Sequence, residues 1–273
     1  MTVIDPSSLT PADVRQLCRD DKWHREGTAG VCDGHVQANV IILPEKYARD
    51  FRLLCQRNPV SCPLLGETLP GDPTVPSHLA LDADVRTDCP AYALYRDGKR
   101  LRTATSIADV WASDSVAFFI GCSFSFESKL VQEGLEPRHS ELGRNVPMYK
   151  TKVPLCAAGV FSGNMVVSMR PYSPSHHPRV RSITSPFIHA HGEPVAYGPA
   201  GALSLGIDDP LGLNPDFGDP SELRDGEVPV YWGCGVTPQN VVMSSGLEEV
   251  VMGHLPGSML VLDMRNEELQ KGW

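Results

Sequence analysis

The sequence predicts a mixed α/β fold with irregular loops, and three observations support this class. Apolar runs of strand length alternate loosely with segments of helical periodicity. The connections between them are rich in proline and glycine, which favour irregular loops. The same junction of apolar strand, Gly-Cys turn and helix occurs twice, which suggests an internal pseudo-repeat. We expect one domain spanning 1–273, built as a single body or as two intertwined lobes.

Local signals predict the elements of the first half of the chain. Thr10 followed by Pro11 is a strong helix start, so we expect a helix over Pro11–Arg19. A second helix is predicted over 44–57, where apolar side chains recur on one face. There follow an irregular loop over 58–76, a hairpin over 92–101 that turns at Asp97-Gly98, and a short helical segment over 107–111.

The second half is predicted by the same kinds of signal. A buried strand is expected over 166–169, ending at Pro171, and a proline-histidine loop over 173–178. Residues 183–195 have a strand-like composition that Pro186 interrupts. Proline, glycine and aspartate predict a loop over 208–225, and the apolar run at 258–263 predicts a last strand.

The composition excludes several classes of protein. A net charge of −9 argues against binding to nucleic acid or to an anionic membrane, and no apolar run reaches membrane-spanning length. The first residues resemble no targeting signal, so we expect a cytoplasmic protein. Eight cysteines without C-x-x-C spacing predict free thiols and no zinc site. A homo-oligomer is left open.

The two Gly-Cys junctions, at 118–136 and 230–248, align without a gap. Gly121 aligns with Gly233, Cys122 with Cys234, Ser125 with Thr237, and Glu127 with Gln239. Thr237-Pro238 predicts a helix start, with Thr237 and by alignment Ser125 as N-caps. We therefore expect both cysteines at the end of a strand and just ahead of a helix.

A cysteine in this position has two readings. The positive end of a helix stabilises a thiolate, so Cys122 and Cys234 are candidates for nucleophile or proton donor. Alternatively, each cysteine is a small apolar residue that permits close packing, since free cysteine is often buried. Glu127 is titratable whereas the aligned Gln239 is not, which favours the first junction for chemistry.

Three arginines are candidates for holding a substrate carboxylate. Arg144 precedes Asn145 in a polar loop, and Arg170 ends an apolar strand. The alternatives are a surface position for Arg144 and an internal salt bridge for Arg170. Arg57 closes a predicted helix, where it either complements the helix dipole or binds a polar ligand.

Amide and imidazole side chains complete the candidates. Gln37 and Asn39 alternate along a predicted strand, so both amides are expected on one face. His254 is a candidate acid or base. His189 and His191 are two apart, but no third ligand is evident, and a pair of turn-stabilising histidines is favoured over a metal site.

A series of short strings resembles one protein family. These are GHVQANVIILP, FRLLCQRNPVSCPLL, PGDP, DVRTDCPAYALYRDG, VAFFIGCSFSFE, GRNVPMYKTKVP, FSGNMVVSMRP, HGEPV, DFGD, EVPVYWGCGVTPQ and HLPGSMLVLD. In order and character the series resembles the hydro-lyase family that is also called D-glutamate cyclase-like. The resemblance runs from about 34 to 263. Ser258 departs from it, because the family often has histidine there.

The resemblance implies a carbon–oxygen lyase. A larger mitochondrial member cyclises D-glutamate to 5-oxo-D-proline with loss of water. We therefore expect an enzyme that eliminates water from a small amino or hydroxy acid, and a lactam-forming variant remains open. A cysteine-dependent amide hydrolase or transferase, and a non-catalytic carboxylate-binding protein, are the alternatives.

The expected site follows from these assignments. Cys122 or Glu127 would move a proton, with Cys234 and His254 as further catalytic candidates, and Arg144 or Arg170 would hold the carboxylate. Further substrate-binding candidates are Gln37, Asn39, Arg57, Ser123, Ser125, Asn145, Tyr149 and Thr237. No cofactor is expected, and a divalent metal is left open although ligand spacing does not support one.

Overall fold

The computed structural model describes residues 9–25, 27–209 and 211–270. The strands are β1 His35–Pro44, β2 Leu64–Glu67, β3 Tyr92–Arg96, β4 Lys99–Ala104, β5 Ser115–Ile120, β6 Met148–Pro154, β7 Asn164–Tyr172, β8 Ala196–Tyr197, β9 Val228–Gly233, β10 Val251–His254 and β11 Leu260–Arg265. The helices are α1 Pro11–Arg19, α2 Glu45–Arg57, α3 Phe124–Gln132, α4 Arg138–Glu141, α5 His177–Thr184, α6 Gly198–Ser204 and α7 Val236–Ser244. The mixed α/β class is confirmed. The N-terminal residues that show no targeting signal lie largely outside the described ranges.

The strands form two sheets in which every described pairing is antiparallel. The larger sheet has the order β2-β5-β1-β10-β3-β4, and β11 also pairs with β1. The smaller sheet has the order β6-β7-β9-β8. The first Gly-Cys junction leaves the larger sheet after β5, and the second leaves the smaller sheet after β9. Each sheet therefore carries one junction, although the structure does not establish a repeat beyond these local units.

The two sheets share an apolar core. Val40 on β1 and Phe119 on β5 belong to the same buried cluster as Val230 and Trp232 on β9. Phe126 on α3 lies in this cluster, and its ring centroid is 5.8 Å from that of Trp232. Burial of large apolar side chains from both sheets fixes the sheets, and hence the two junctions, relative to each other. None of the helices in the described ranges is long and apolar enough to cross a membrane.

Several elements with strong local signals are confirmed. Thr10 caps α1 in a capping box: its hydroxyl accepts from the Asp13 N–H at 3.2 Å, and its own N–H donates to the Asp13 carboxylate at 2.9 Å. The hairpin β3–β4 turns at Asp97 and Gly98, which both have positive φ, as a two-residue hairpin turn requires. The structure also contains the predicted second helix and last strand. It contains the predicted loop over 208–225 as well, except that residue 210 lies outside the described ranges.

Other predicted elements are wrong. The loop over 58–76 contains β2, and residues 107–111 form a turn rather than a helix. The strand-like segment 183–195 instead contains the end of α5 and a 3₁₀ turn at Ile188–Ala190. The proline-histidine segment 173–178 is the start of that helical region, because a proline fits the first helical turn. Buried Val180 and Thr184, four residues apart, are the helical signal that the β-branched composition obscured.

The strand predicted over 166–169 is longer than expected. β7 continues through Pro171 to Tyr172. In the described residues, β7 pairs with β6 only as far as Ser168. Pro171 therefore pairs with β9 alone. Proline is tolerated in such an edge position because its missing N–H is not required by a second neighbour.

Candidate active site

Both Gly-Cys junctions supply a thiol to the same cavity. Cys122 lies between β5 and α3, and Cys234 lies between β9 and α7. Each cysteine directly precedes the N-cap of its helix, which is Ser123 in one case and Gly235 in the other. Both line a cavity of about 470 Å³, which we call the thiol cavity. Two strand-to-helix turns from different sheets thus meet at one concave site.

Close backbone approaches explain the glycine that precedes each cysteine. A Cβ atom on Gly121 would lie 1.8 Å from the carbonyl oxygen of His189. A Cβ on Gly233 would lie 2.7 Å from the carbonyl oxygen of Val60. A side chain at either position would therefore push apart two backbone segments.

Asn39 connects the two junctions. It lies on β1, is buried, and its amide donates to the carbonyl of Gly121 in the first junction at 3.3 Å. A Cβ atom on Gly235 in the second junction would lie 2.2 Å from the same amide nitrogen. Asn39 also lines the thiol cavity, so it holds one turn and packs against the other.

The two sulfurs are neutral thiols at pH 7. Burial raises the pKa of Cys122 to about 12 and that of Cys234 to about 11. Hydrogen bonds from the backbone N–H groups of Phe124 and Val236, at the starts of the two helices, lower these pKa values but do not offset burial. The expected stabilisation by the helix start is present, but the thiolate that we expected from it is not the resting form.

The remaining lining of the thiol cavity combines apolar with polar side chains and carries no carboxylate among the described residues; the apolar ones include Phe124, Met148 and Met259. The polar side chains that line it with the two thiols belong to Asn39, Tyr95, Ser123, Asn145, Lys150, Gln239, Asn240 and His254. Lys150 is exposed, and its ammonium lies 5.2 Å from the ring centroid of Phe217, which also lines the cavity. Among the described residues, the lining thus carries one cationic side chain, Lys150, and no anionic one.

His254 is a neutral hydrogen-bond donor to this cavity. It is 2% exposed, and its Nδ1 lies 3.0 Å from the backbone nitrogen and 3.3 Å from the carbonyl oxygen of Val40. The N–H is the nearer of these two partners, so we assign Nδ1 as the acceptor and place the proton of the neutral ring on Nε2. Burial lowers the pKa of His254 to about 4, so the ring stays uncharged at pH 7. This geometry favours donation to a ligand oxygen over the removal of a proton.

Glu127 and Arg170 form a buried ion pair beside the cavity. Arg170 is 0% exposed, and its Nε donates to Glu127 Oε1 at 2.9 Å. Its other nitrogens donate to Ser168 Oγ at 3.0 Å and to Ser123 Oγ at 2.9 Å. His139 Nε2 lies 3.3 Å from the second carboxylate oxygen of Glu127. The internal salt bridge, which was the alternative reading of Arg170, is the one observed.

This network fixes the charge of Glu127. Burial alone would raise the pKa of its carboxyl, but His139 and Arg170 outweigh burial and hold the pKa at about 2. Glu127 is therefore an ionised, fully engaged carboxylate at pH 7. Both groups are held by these partners, and neither lines the thiol cavity, although Glu127 lines a second cavity. The geometry favours a positioning role over the proton-transfer and carboxylate-binding roles that we expected.

Four more predicted site residues do not line the thiol cavity. Ser125 and Thr237 are not N-caps, because both helices begin earlier than the sequence indicates; the Thr237 hydroxyl instead donates to the Val166 carbonyl on β7. Tyr149 is buried and donates to the carbonyl of Gly212. Arg57 is exposed at the end of α2 and donates to the carbonyl of Ala157.

A second cavity of about 790 Å³ adjoins the first. Phe124, Asn145 and Gly257 line both. Gln37 and Arg144 line the second cavity and not the thiol cavity. The two amide side chains of β1, Gln37 and Asn39, therefore line different cavities. The Gln37 amide donates to two loop carbonyls, and Arg144 donates to the Pro220 carbonyl at 3.1 Å.

The histidine pair is not arranged as a strand pair. His191 has φ +78° after the 3₁₀ turn, and its Nδ1 lies 2.8 Å from the Val60 carbonyl oxygen. In the described ranges no three His, Cys, Asp or Glu side chains are grouped as metal ligands. Ser258 is buried outside the thiol cavity, whereas its neighbours Gly257 and Met259 line that cavity.

Sequence reasoning missed several polar residues near the site. Lys150, Asn240 and Tyr95 line the thiol cavity, and His139 is the second partner of Glu127. In the sequence, Gln239 stands out only as the residue aligned with Glu127. Its position one turn into α7 places it at the cavity. Lys150 alternates with buried Tyr149 on β6, which could have indicated an outward-facing cation.

Comparison with known proteins identifies the family. A family model described as D-glutamate cyclase matches residues 116–263, which is more than half of the chain. The chain belongs to the D-glutamate cyclase family. The resemblance read from the sequence is thereby confirmed. The matched region contains both Gly-Cys junctions and His254, whereas β1 with Asn39 precedes it.

Individual relatives extend the similarity over nearly the whole chain. A "Putative hydro-lyase" of Schizosaccharomyces pombe is 51% identical over 93% of this chain and 84% of that protein. "Putative hydro-lyase YcsI" of Bacillus subtilis is 48% identical over 96% of this chain and 99% of that protein. A "Putative hydro-lyase" of Burkholderia ambifaria gives the same three values as the Bacillus protein. Membership of the D-glutamate cyclase family supports a lyase-type function.

Proposed function

We propose that this protein eliminates water from a small amino or hydroxy acid bound in the thiol cavity. The observation that carries the proposal is the convergence of Cys122 and Cys234, from two sheets, on one cavity. The two thiols provide groups that take up and release protons, which an elimination requires. The names of the relatives, which refer to hydro-lyases, agree with this reaction class.

The charge of the cavity favours an acid as the substrate. No described Asp or Glu lines it, Lys150 lies at its border, and two helices begin beside it. Helix starts and amide groups stabilise carboxylates without requiring a buried guanidinium. The volume of about 470 Å³ suits a small molecule. We therefore propose a small carboxylic acid as the ligand.

The elimination can be written with the groups at hand. One sulfur, as the thiolate, takes the proton from the carbon next to the carboxylate, and the electron pair forms the carbon–carbon double bond. The carbon–oxygen bond breaks, and the second thiol gives its proton to the departing hydroxyl, which leaves as water. The His254 Nε2–H stabilises charge on the carboxylate as it develops. We assign Cys122 as the base because its junction is anchored by the buried ion pair.

Lactam formation is a second candidate, which the family description favours. In this reaction the substrate amine attacks its own side-chain carboxyl carbon, and one carboxyl oxygen leaves as water after protonation. The thiols and His254 would supply that proton and stabilise the intermediate. A cysteine hydrolase is disfavoured because burial lowers the pKa of His254 to about 4, which makes the ring a weak base toward either thiol.

The test is a substrate screen by mass spectrometry. D- and L-glutamate, D- and L-aspartate and the corresponding hydroxy acids are incubated with purified protein, and a product lighter by one water molecule is sought. Cys122→Ala and Cys234→Ala should each slow turnover by about 10²–10⁴-fold. Cys156→Ser is the matched control, since Cys156 is exposed and outside both cavities. Full turnover in both alanine variants would remove the assignment.

A further inference from the structure

The two thiols are the principal groups in this cavity that can remove a proton from a carbon atom or return one to it. No described carboxylate lines the cavity, and His254, whose Nδ1 lies against the backbone of Val40, is a weak base because burial lowers its pKa to about 4. Lys150 is exposed and lies against Phe217. Removal and return of a carbon-bound proton therefore fall to Cys122 and Cys234.

The two sulfurs also approach from different parts of the fold. Cys122 follows a strand of the larger sheet and Cys234 a strand of the smaller sheet. Each sulfur accepts a hydrogen bond from the first turn of its own helix, from Phe124 and Val236 respectively. The two groups thus have matching surroundings, and each can serve as acid or as base.

We propose that the thiol cavity also inverts the α-carbon of the acid it binds, with Cys122 and Cys234 acting on opposite faces of that carbon. The inference rests on the binding site of the proposed function but not on the loss of water. It assigns a second activity, cofactor-independent epimerisation, to a 2-amino or 2-hydroxy acid.

The step balances without any co-reactant. The thiolate of one cysteine takes the α-proton, so an S–H bond forms, the C–H bond breaks and the electron pair moves into the carboxylate as an enediolate. The thiol of the other cysteine then gives its proton to the opposite face of the carbon. The second sulfur becomes the thiolate, and the total charge is unchanged. In deuterated water, exchange at sulfur delivers deuterium to the α-position.

A weakly acidic thiol suits this role. The α-proton of an amino acid is a much weaker acid than an ordinary thiol, so a sulfur of higher pKa is the better base once it is deprotonated. Burial raises the pKa of both Cys122 and Cys234 in this way. The His254 N–H is placed at the same cavity to stabilise the enediolate oxygen.

The experiment follows α-proton exchange by proton NMR in deuterium oxide. D- and L-forms of glutamate, aspartate and malate are incubated separately with the full-length protein, and chiral chromatography detects the opposite enantiomer. We expect loss of the α-proton signal from both enantiomers of at least one acid. Cys122→Ser should slow exchange of one enantiomer, and Cys234→Ser that of the other, each by at least about 10²-fold. Cys156→Ser should match the wild type.

The outcomes separate this inference from the proposed function. Water loss without α-exchange from any acid overturns the inference alone, and exchange without water loss supports it while overturning the proposed elimination. The two-face assignment is overturned if the wild type exchanges the α-proton of only one enantiomer. It is also overturned if each serine variant slows the exchange of both enantiomers equally. Absence of both reactions overturns both proposals. Circular dichroism verifies folding, and alanine variants replace any serine variant that does not fold.

Discussion

Replacing Glu127 by glutamine should destabilise the protein strongly, because it leaves Arg170 charged and buried without its counter-ion. Arg170 is 0% exposed and Glu127 is 9% exposed, so water cannot replace the lost carboxylate. Ser123 and Ser168 would remain as neutral partners of the guanidinium. Breaking a buried ion pair by removing one partner typically costs about 3–5 kcal/mol of unfolding free energy.

The pKa of Glu127 gives an independent magnitude and a pH window. A fall from 4.5 to about 2 corresponds to about 3 kcal/mol of stability, since each pKa unit is worth about 1.4 kcal/mol. The folded-state pKa is lowered, so this stability is fully present above about pH 4.5 and is lost as the pH falls toward about 2. Above that window, Glu127→Gln should therefore show its full defect.

Urea unfolding at pH 7, followed by tryptophan fluorescence and circular dichroism, measures the effect. Glu133→Gln is the matched control, because Glu133 ends the same helix but forms only exposed ion pairs with Lys129 and Arg179. The control should lie within about 0.5 kcal/mol of the wild type. The reasoning is refuted if Glu127→Gln unfolds at the same urea concentration as Glu133→Gln, or if its defect does not shrink between pH 5 and pH 3.

Three further predictions address the site. Gly121→Ala should lower the unfolding free energy by about 1–3 kcal/mol or more in urea titration, because its Cβ would lie 1.8 Å from the His189 carbonyl oxygen. Wild-type stability of this variant would contradict the close approach. Iodoacetamide at pH 8 should alkylate exposed Cys156 at least about 10²-fold faster than Cys122, as peptide mapping can show, and equal rates would contradict the high pKa of the buried thiol. His254→Phe should reduce kcat/KM by about 10²–10³-fold. Because the pKa of His254 is about 4, its titration should cause no change in wild-type activity between pH 8 and pH 5. A change in wild-type activity near pH 6.5 that is absent from the variant would contradict the neutral state of His254.

Elements specified by neighbouring residues could be predicted from the sequence. The Thr10 cap bonds to Asp13 three residues away, and Asp97-Gly98 supplies the two positive φ values that the β3–β4 turn requires. The Gly-Cys junctions were likewise recognised from contiguous strings, and the structure contains both as strand-to-helix turns. Local hydrogen bonds and backbone preferences determine these features, so they require no knowledge of the rest of the fold.

Features that depend on distant partners could not be predicted in the same way. Glu127 and Arg170 are 43 residues apart, and the sequence offers several carboxylates as partners for one arginine. The choice between a ligand-binding arginine and an internal ion pair is decided by the fold, which places Glu127 on α3 beside Arg170 on β7. The pKa of Cys122 also depends on distant residues. The helix start, which lowers this pKa, can be read from the sequence, but burial, which raises it by more, cannot.

The ion pair outside the cavity determines the geometry inside it. Arg170 belongs to β7, which pairs with β9 so that Val167 lies opposite Gly233, one residue before Cys234. The same guanidinium bonds to Ser123, the residue after Cys122, and to Glu127 one turn further along α3. One side chain of the smaller sheet therefore holds the helix that follows the larger sheet, and it fixes one thiol relative to the other. This linkage explains why the two junctions differ at Glu127 and Gln239: one position anchors the helix, and the aligned position in α7 is left free to line the cavity.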